Sequence, residues 1–185
     1  MIEMLITITI MTLALSLGIP SYRTWVQNTQ IRNAAESIDN GIQRARAEAV
    51  KRNVNIEFVL GANYPWKIQV QGNTLKCPGE PGFDPSVDKV GDSLLQCSIN
   101  KDFKNATVGV TPSLATTITF SSLGTVVPNV PASATLSQIN LNTSVTDSSV
   151  DLKELRKLEV TIGAGGNTRV CDPNFAATST DPRKC

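Results

Sequence analysis

The apolar positions of this 185-residue chain fall into three regimes. Residues 1–20 form a nearly unbroken apolar run interrupted by one carboxylate, Glu3, and no charge occurs from Met4 to Tyr22. Nineteen helical residues would reach about 28 Å, close to the hydrocarbon thickness of a bilayer. Beyond Pro20 the period becomes helical: Ile31, Ala35, Ile38, Ile42, Ala45 and Ala49 make a single stripe, with Arg32, Asn33, Glu36, Asn40, Gln43, Arg44 and Lys51 mostly off it. That pattern predicts an amphipathic helix facing a core. Residues 1–53 therefore read as one helix about 80 Å long. It should bend at Pro20, which removes a backbone donor and crowds the preceding turn, and its first half should stand clear of any globular head.

After Asn53 the period drops to two. Ile56/Phe58, Ile68/Val70, Ile118/Phe120 and Leu158/Val160/Ile162 alternate with polar neighbours, the signature of half-buried strands. Gly163-Ala164-Gly165-Gly166 predicts the hairpin turn between 157–162 and 167–171. The stretches 78–93 and 141–150 read as loops from their turn-forming residues. One helix followed only by strands implies an α+β fold, with an antiparallel sheet on the apolar stripe of the helix. The division expected is 1–22 for a transmembrane or filament-core helix, 23–53 for the amphipathic helix, and 54–185 for a β-rich head.

Charge and chemistry narrow the picture. The net charge of +1 is not that of a bulk nucleic-acid binder. With no histidine, the chain has neither a Ser-His-Asp or Cys-His catalytic set nor a histidine-containing metal site. It also lacks a nucleophile elbow and a phosphate-cradling glycine loop leading into a helix. No enzyme activity, cofactor, metal or small-molecule substrate is expected. Glu3 is the conspicuous polar group, because an acid within an apolar span costs roughly 2.5–3.5 kcal/mol on insertion scales and is by default a functional residue. A secretory signal would carry basic residues before the apolar run and a small-residue cleavage site after it. Here an acid comes first and more helix follows.

Cys77, Cys97, Cys171 and Cys185 allow three pairings, between which sequence alone does not choose. An exported head makes disulfides the natural reading. The spacings of 20 and 14 suggest Cys77–Cys97 and Cys171–Cys185. Each closure would contribute roughly 3 kcal/mol on a chain-entropy estimate. A zinc site would need close cysteine pairs, and none occurs.

Ile2-Glu3-Met4-Leu5, followed by an apolar run and Pro20, resembles the N-terminus of type IV pilins and type II secretion pseudopilins. Ala34-Ala35-Glu36-Ser37 and the run Arg44–Asn53 resemble the helix of the FimT/FimU minor pilins and the GspH pseudopilins. Phe120-Ser-Ser-Leu-Gly124, Leu158–Gly163 and Thr168-Arg169-Val170-Cys171-Asp172-Pro173 resemble strands and the closing hairpin of the same heads. Members of the family are cut by a prepilin peptidase after a glycine and usually methylated at the new N-terminus. Met1 stands where the family carries Leu, so an upstream stretch encoding Lys/Arg and then Gly-Phe-Thr is expected.

The resemblance implies the type IV pilin fold and a minor pilin that helps initiate type IV pilus assembly and sits near the pilus tip. Its partners would be other minor pilins, the major pilin and the inner-membrane assembly platform. The chain would span the inner membrane once, head in the periplasm, before reaching the cell surface in the pilus. Glu3 would pair with a neighbour's cationic N-terminus in the low-dielectric filament core and set axial register. The cysteine-stapled head points to FimT/FimU more than to the GspH pseudopilin of type II secretion, which is the second expectation. The third is a pilus-tip DNA receptor for natural transformation, since some FimT-type proteins bind DNA through a basic tail beginning Gly-Arg-x-Arg. Here only Arg169 of that pair is kept, with Arg183 and Lys184 as replacements set against Asp172 and Asp181. Phosphate contacts of that kind would be sequence-independent and salt-sensitive.

Overall fold

A computed structural model describes residues 2–61, 66–98, 106–143, 155–176 and 178–185, with the side chains of residues 14–21 outside the described set. Helix α1 (Ile2–Arg52) is followed by β1 (Ile56–Val59), β2 (Lys67–Val70), β3 (Leu94–Cys97), β4 (Ala106–Thr111), β5 (Thr117–Phe120), β6 (Val126–Val127), β7 (Gln138–Thr143), β8 (Leu158–Ile162) and β9 (Thr168–Cys171). The helical backbone continues through Pro20. The helix stops where Asn53 turns into the left-handed region, at φ 55°, a common way to end a helix. Lys51 and Arg52 in its last turn complement the negative end of the helix dipole.

The strands divide between two antiparallel sheets, ordered β3-β2-β1-β5-β6 and β4-β7-β8-β9, and the helix packs against strands of both. Every residue of the apolar stripe read from the sequence is fully buried, joined by Ala34. Across from it lie Ile56, Phe58, Ile68, Ile118 and Phe120 of the first sheet and Ile139, Leu141 and Val160 of the second. Register makes these rows coherent: Phe58 stands between Ile68 and Ile118, and Ile56 between Val70 and Phe120. The closest approach is at Gly41. A Cβ there would lie 2.9 Å from ring atoms of both Phe58 and Trp66, and Trp66 donates its indole N–H to Ser37 Oγ at 3.2 Å.

Two sequence expectations are corrected. The three central strands of the first sheet, β1, β2 and β5, are buried on both faces, not one. Gln69, Glu57 and Thr119 lie in register on the face away from the helix, and all three are buried, as is Lys67 beside them. Coil excursions cover this layer and supply its hydrogen bonds, which is how buried polar groups are sustained. Gln69 donates to Glu57 Oε2 at 3.2 Å and to the Asn73 carbonyl at 2.6 Å. Thr119 donates to Asn129 Oδ1 at 2.8 Å, and the Asn129 amide donates on to the carbonyls of Thr117 and Ala134.

The second correction concerns 141–150. Residues 141–143 belong to β7, because Ile139 and Leu141 alternate with Asn140 and Asn142 and the apolar pair is fully buried. Pairing with β4 on one side and β8 on the other outweighs the poor intrinsic strand preference of Asn. Residues 144–150 of that stretch lie outside the described residues.

Candidate functional site

Two regions of the molecule, far apart, carry most of the residues singled out by sequence, and a third holds Cys77 and Cys97. The first is the free end of the helix. Residues 2–13 are all exposed, and no strand packs on them. Glu3 sits in the first turn, about 38 Å along the axis from Asn28, which accepts a hydrogen bond from the Arg156 N–H of the head. Thr7, Thr9 and Thr12 return their hydroxyls to carbonyls three or four residues back, so these polar side chains add no unpaired donor to the bare segment. Among the described residues no helix is long and apolar enough to cross a membrane. The side chains of residues 14–21, Pro20 among them, fall outside that set.

The second region is the base of the head. A groove of about 510 Å³ lies between the helix and the β8–β9 hairpin, with Trp25, Arg32, Glu36, Arg156, Asp172 and Arg183 at its walls. The hairpin that carries this wall turns at Gly166, where φ is 77° and a Cβ would lie 2.5 Å from the Gly124 carbonyl. Below it, the Cys171–Cys185 disulfide closes the C-terminal loop. The Asp172 N–H donates to the Arg183 carbonyl at 2.7 Å.

The structure brings Arg169 of β9 beside Arg183 and Lys184 of this loop and shows what the two guanidiniums do there. Arg169 donates through Nη2 to the carbonyls of Pro182 at 2.9 Å and Lys184 at 2.7 Å. Arg183 grips Asp181 with both Nε and Nη2, at 3.0 and 2.8 Å, and lies over the Phe175 ring at 5.0 Å. The Arg183 side chain and its backbone N–H hold the Asp181 carboxyl down at about 2, and Asp181 in turn raises the Arg183 pKa. These cations organise the loop's own carbonyls and carboxylate. Glu159, Cys171 and Cys185 bring one carboxylate and two sulfurs within ligand distance of one another. Both sulfurs are bonded to each other, so neither is a thiolate donor.

The other disulfide, Cys77–Cys97, closes the excursion over the first sheet. Sequence reasoning missed what lies beneath it. Lys67 Nζ donates to the Leu75 carbonyl at 2.6 Å and lies 3.6 Å from Glu80 Oε2, with both side chains about nine-tenths buried. Glu80 also accepts from the Cys77 N–H. Asp88 accepts from the backbone N–H groups of Lys76 and Asp84, which lower its pKa. Lys67 at a strand position, between two apolar neighbours and close to a cysteine-bounded loop, was the available signal.

A long helix whose residues 2–13 are bare and whose later turns are seated on an antiparallel head defines the class as an α+β subunit with a protruding helical end. Within that class the chain belongs to the GspH family: the family model described as type II transport protein GspH matches residues 34–166, the packed half of the helix and most of the head. Among solved structures it is similar to the type IV minor pilin FimU of Pseudomonas aeruginosa. One crystal form shares 15% identity over 84% of this chain and 98% of that one, with a TM-score of 0.49. A second shares 17% identity over 80% and 98%, with a TM-score of 0.43. No curated protein matches.

Proposed function

We propose that this protein is a minor pilin, a structural and non-enzymatic subunit that helps initiate type IV pilus assembly and sits near the tip of the fibre. Family membership supports a minor pilin or pseudopilin role. The observation that carries the reading further is the bare apolar end of the helix with Glu3 in its first turn, held clear of a head that covers only residues beyond it. Such a segment needs an apolar environment. The bilayer provides it before assembly, with residues 1–22 as the span, and the helices of neighbouring subunits provide it afterwards. Glu3 then meets a neighbour's N-terminal cation in a low-dielectric core, and Pro20 sets the angle between the two halves of the helix. Partners in this reading are the major pilin, other minor pilins and the inner-membrane assembly platform.

The test is the amount of major pilin in the sheared surface fraction of a strain lacking this gene, against its parent and a complemented strain. A drop of about tenfold or more is expected, with a Glu3→Val allele failing to restore it, since removing one partner of a desolvated charge pair costs several kcal/mol. Normal pilin would move the assignment to the second reading, the GspH role in type II secretion, which the family description favours. The hydrogen bonding of Arg169 and Arg183 within the C-terminal loop favours a scaffold over a DNA phosphate site.

A further inference from the structure

The two tryptophans of the chain have opposite surroundings. Trp66 is 4% exposed and donates its indole N–H to Ser37 Oγ. Trp25 is 63% exposed and Tyr22, one turn before it, is 65% exposed, with the two rings 6.0 Å apart. An aromatic pair therefore faces outward where the bare helix enters the head. Tyr and Trp side chains have apolar bodies and polar tips, and they concentrate where an apolar medium meets water.

Their height along the helix fits that role. The span proposed above ends at residue 22. Trp25 stands about 4.5 Å beyond Tyr22 and Asn28 about 9 Å beyond it. The headgroup layer of a bilayer is roughly 5–7 Å deep on each side. Trp25 then falls within that layer and Asn28 just above it. At this level the fold brings in cations from far along the chain. The Arg156 N–H donates to Asn28 Oδ1 at 2.8 Å, which sets Arg156 and Lys157, both exposed, beside the helix. Arg23 lies on the same turn as the aromatic pair and is exposed as well.

The groove of about 510 Å³ rises from Trp25, over an apolar floor that includes Ala35, Leu158 and Val170. Its carboxylates already have partners: Glu36 pairs with Arg32 at 2.8 Å, and Asp172 Oδ1 accepts the Asn174 N–H at 2.9 Å. Arg183 grips Asp181. Arg156 has no carboxylate partner among the described residues. A guanidinium suits the oxygens of a phosphate, and the exposed indole below it suits the glycerol end of an acyl chain.

We propose that this groove docks the headgroup of an anionic phospholipid from the leaflet that the helix leaves, with the phosphate on Arg156 and the glycerol end against Trp25. Each basic side chain near a membrane surface favours anionic lipid. A zwitterionic lipid would bring an ammonium group to the same cationic rim. The proposal rests on the membrane span read above for residues 1–22.

The test uses the full-length chain in vesicles of phosphatidylcholine and phosphatidylglycerol, with bromine on the acyl chains of one lipid or the other as a quencher of tryptophan fluorescence. Flotation with the vesicles after a high-salt wash reports insertion of the helix independently. Bromines near the glycerol should quench more than bromines near the chain end, and Trp25→Phe should remove the quenching, because Trp66 lies in the protein core. At equal amounts, brominated phosphatidylglycerol should quench more than brominated phosphatidylcholine. Arg156→Gln should cut that relative affinity about fivefold. Lys51→Gln, at the far end of the helix, should leave it unchanged. Insertion without quenching of Trp25, stronger quenching by the deep bromines, or no preference for phosphatidylglycerol would overturn the dock and leave the span standing. So would a preference that survives Arg156→Gln or falls equally in Lys51→Gln. A chain that does not float with the vesicles would overturn the span, and the dock with it.

Discussion

The two disulfide-closed excursions of this head differ in what they cover. The Cys77–Cys97 excursion lies on a sheet face and seals a buried polar layer; its Glu80 and Asp88 satisfy groups that water no longer reaches. The Cys171–Cys185 loop lies outside the core. Its contacts, Arg169 to carbonyls and Arg183 to Asp181, are made among largely exposed groups. Chain-entropy arguments assign similar stabilisation to loops of such similar length, roughly 3 kcal/mol each. The difference should come from the folded state: opening the first loop uncovers polar groups arranged for burial, whereas opening the second lets a surface segment fray and recover its entropy.

The largest effect should follow from Cys77→Ala/Cys97→Ala. The loss of about 3 kcal/mol, plus exposure of the polar layer, lowers the melting temperature by about 10 °C. Cys171→Ala/Cys185→Ala should cost less than half as much, with faster amide exchange confined to residues 172–184. Equal shifts in calorimetry would erase the distinction between the loops.

Lys67→Met comes next. It strands the Glu80 carboxylate under the first loop, and breaking a buried pair in this way costs about 3 kcal/mol or more. A double Lys67→Met/Glu80→Leu variant should recover most of that in denaturant unfolding. Arg169→Ala removes two charge-assisted bonds from the second loop, for about 1–2 kcal/mol locally, and should make the loop protease-sensitive with little change in global melting.

The smallest effect is a pH dependence. The folded Asp181 pKa is held below its ordinary value, at about 2. Its contribution to loop order is thus complete above the ordinary carboxylate range and lost as pH falls through about 2. The Arg183 amide resonance should report that titration, and Asp181→Asn should abolish it.

Much of this architecture was legible in the chain. The stripe from Ile31 to Ala49, the strands at Ile56, Ile68, Ile118 and Leu158, and the Gly163–Gly166 turn follow from periodicity and turn chemistry, which are local. What stayed hidden is non-local. β7 was disguised by Asn140 and Asn142, and only its two neighbours make it a strand. The division into two sheets and the burial of Glu57, Lys67 and Gln69 depend on coil segments folding back over them. Likewise Arg169, Arg183 and Lys184 read as a basic tail because sequence shows charge but not the carbonyls and carboxylate that accept from it.

The notch at Gly41 has a mechanical consequence. The Phe58 and Trp66 rings sit where a side chain would otherwise stand, and the Trp66 indole holds Ser37 one turn below. An α-helix slides along its axis in steps of about 1.5 Å per residue. Any such step would drive the shoulder of the notch into two aromatic rings. Tension applied to the bare end of the helix would therefore load this interlocked seam in shear.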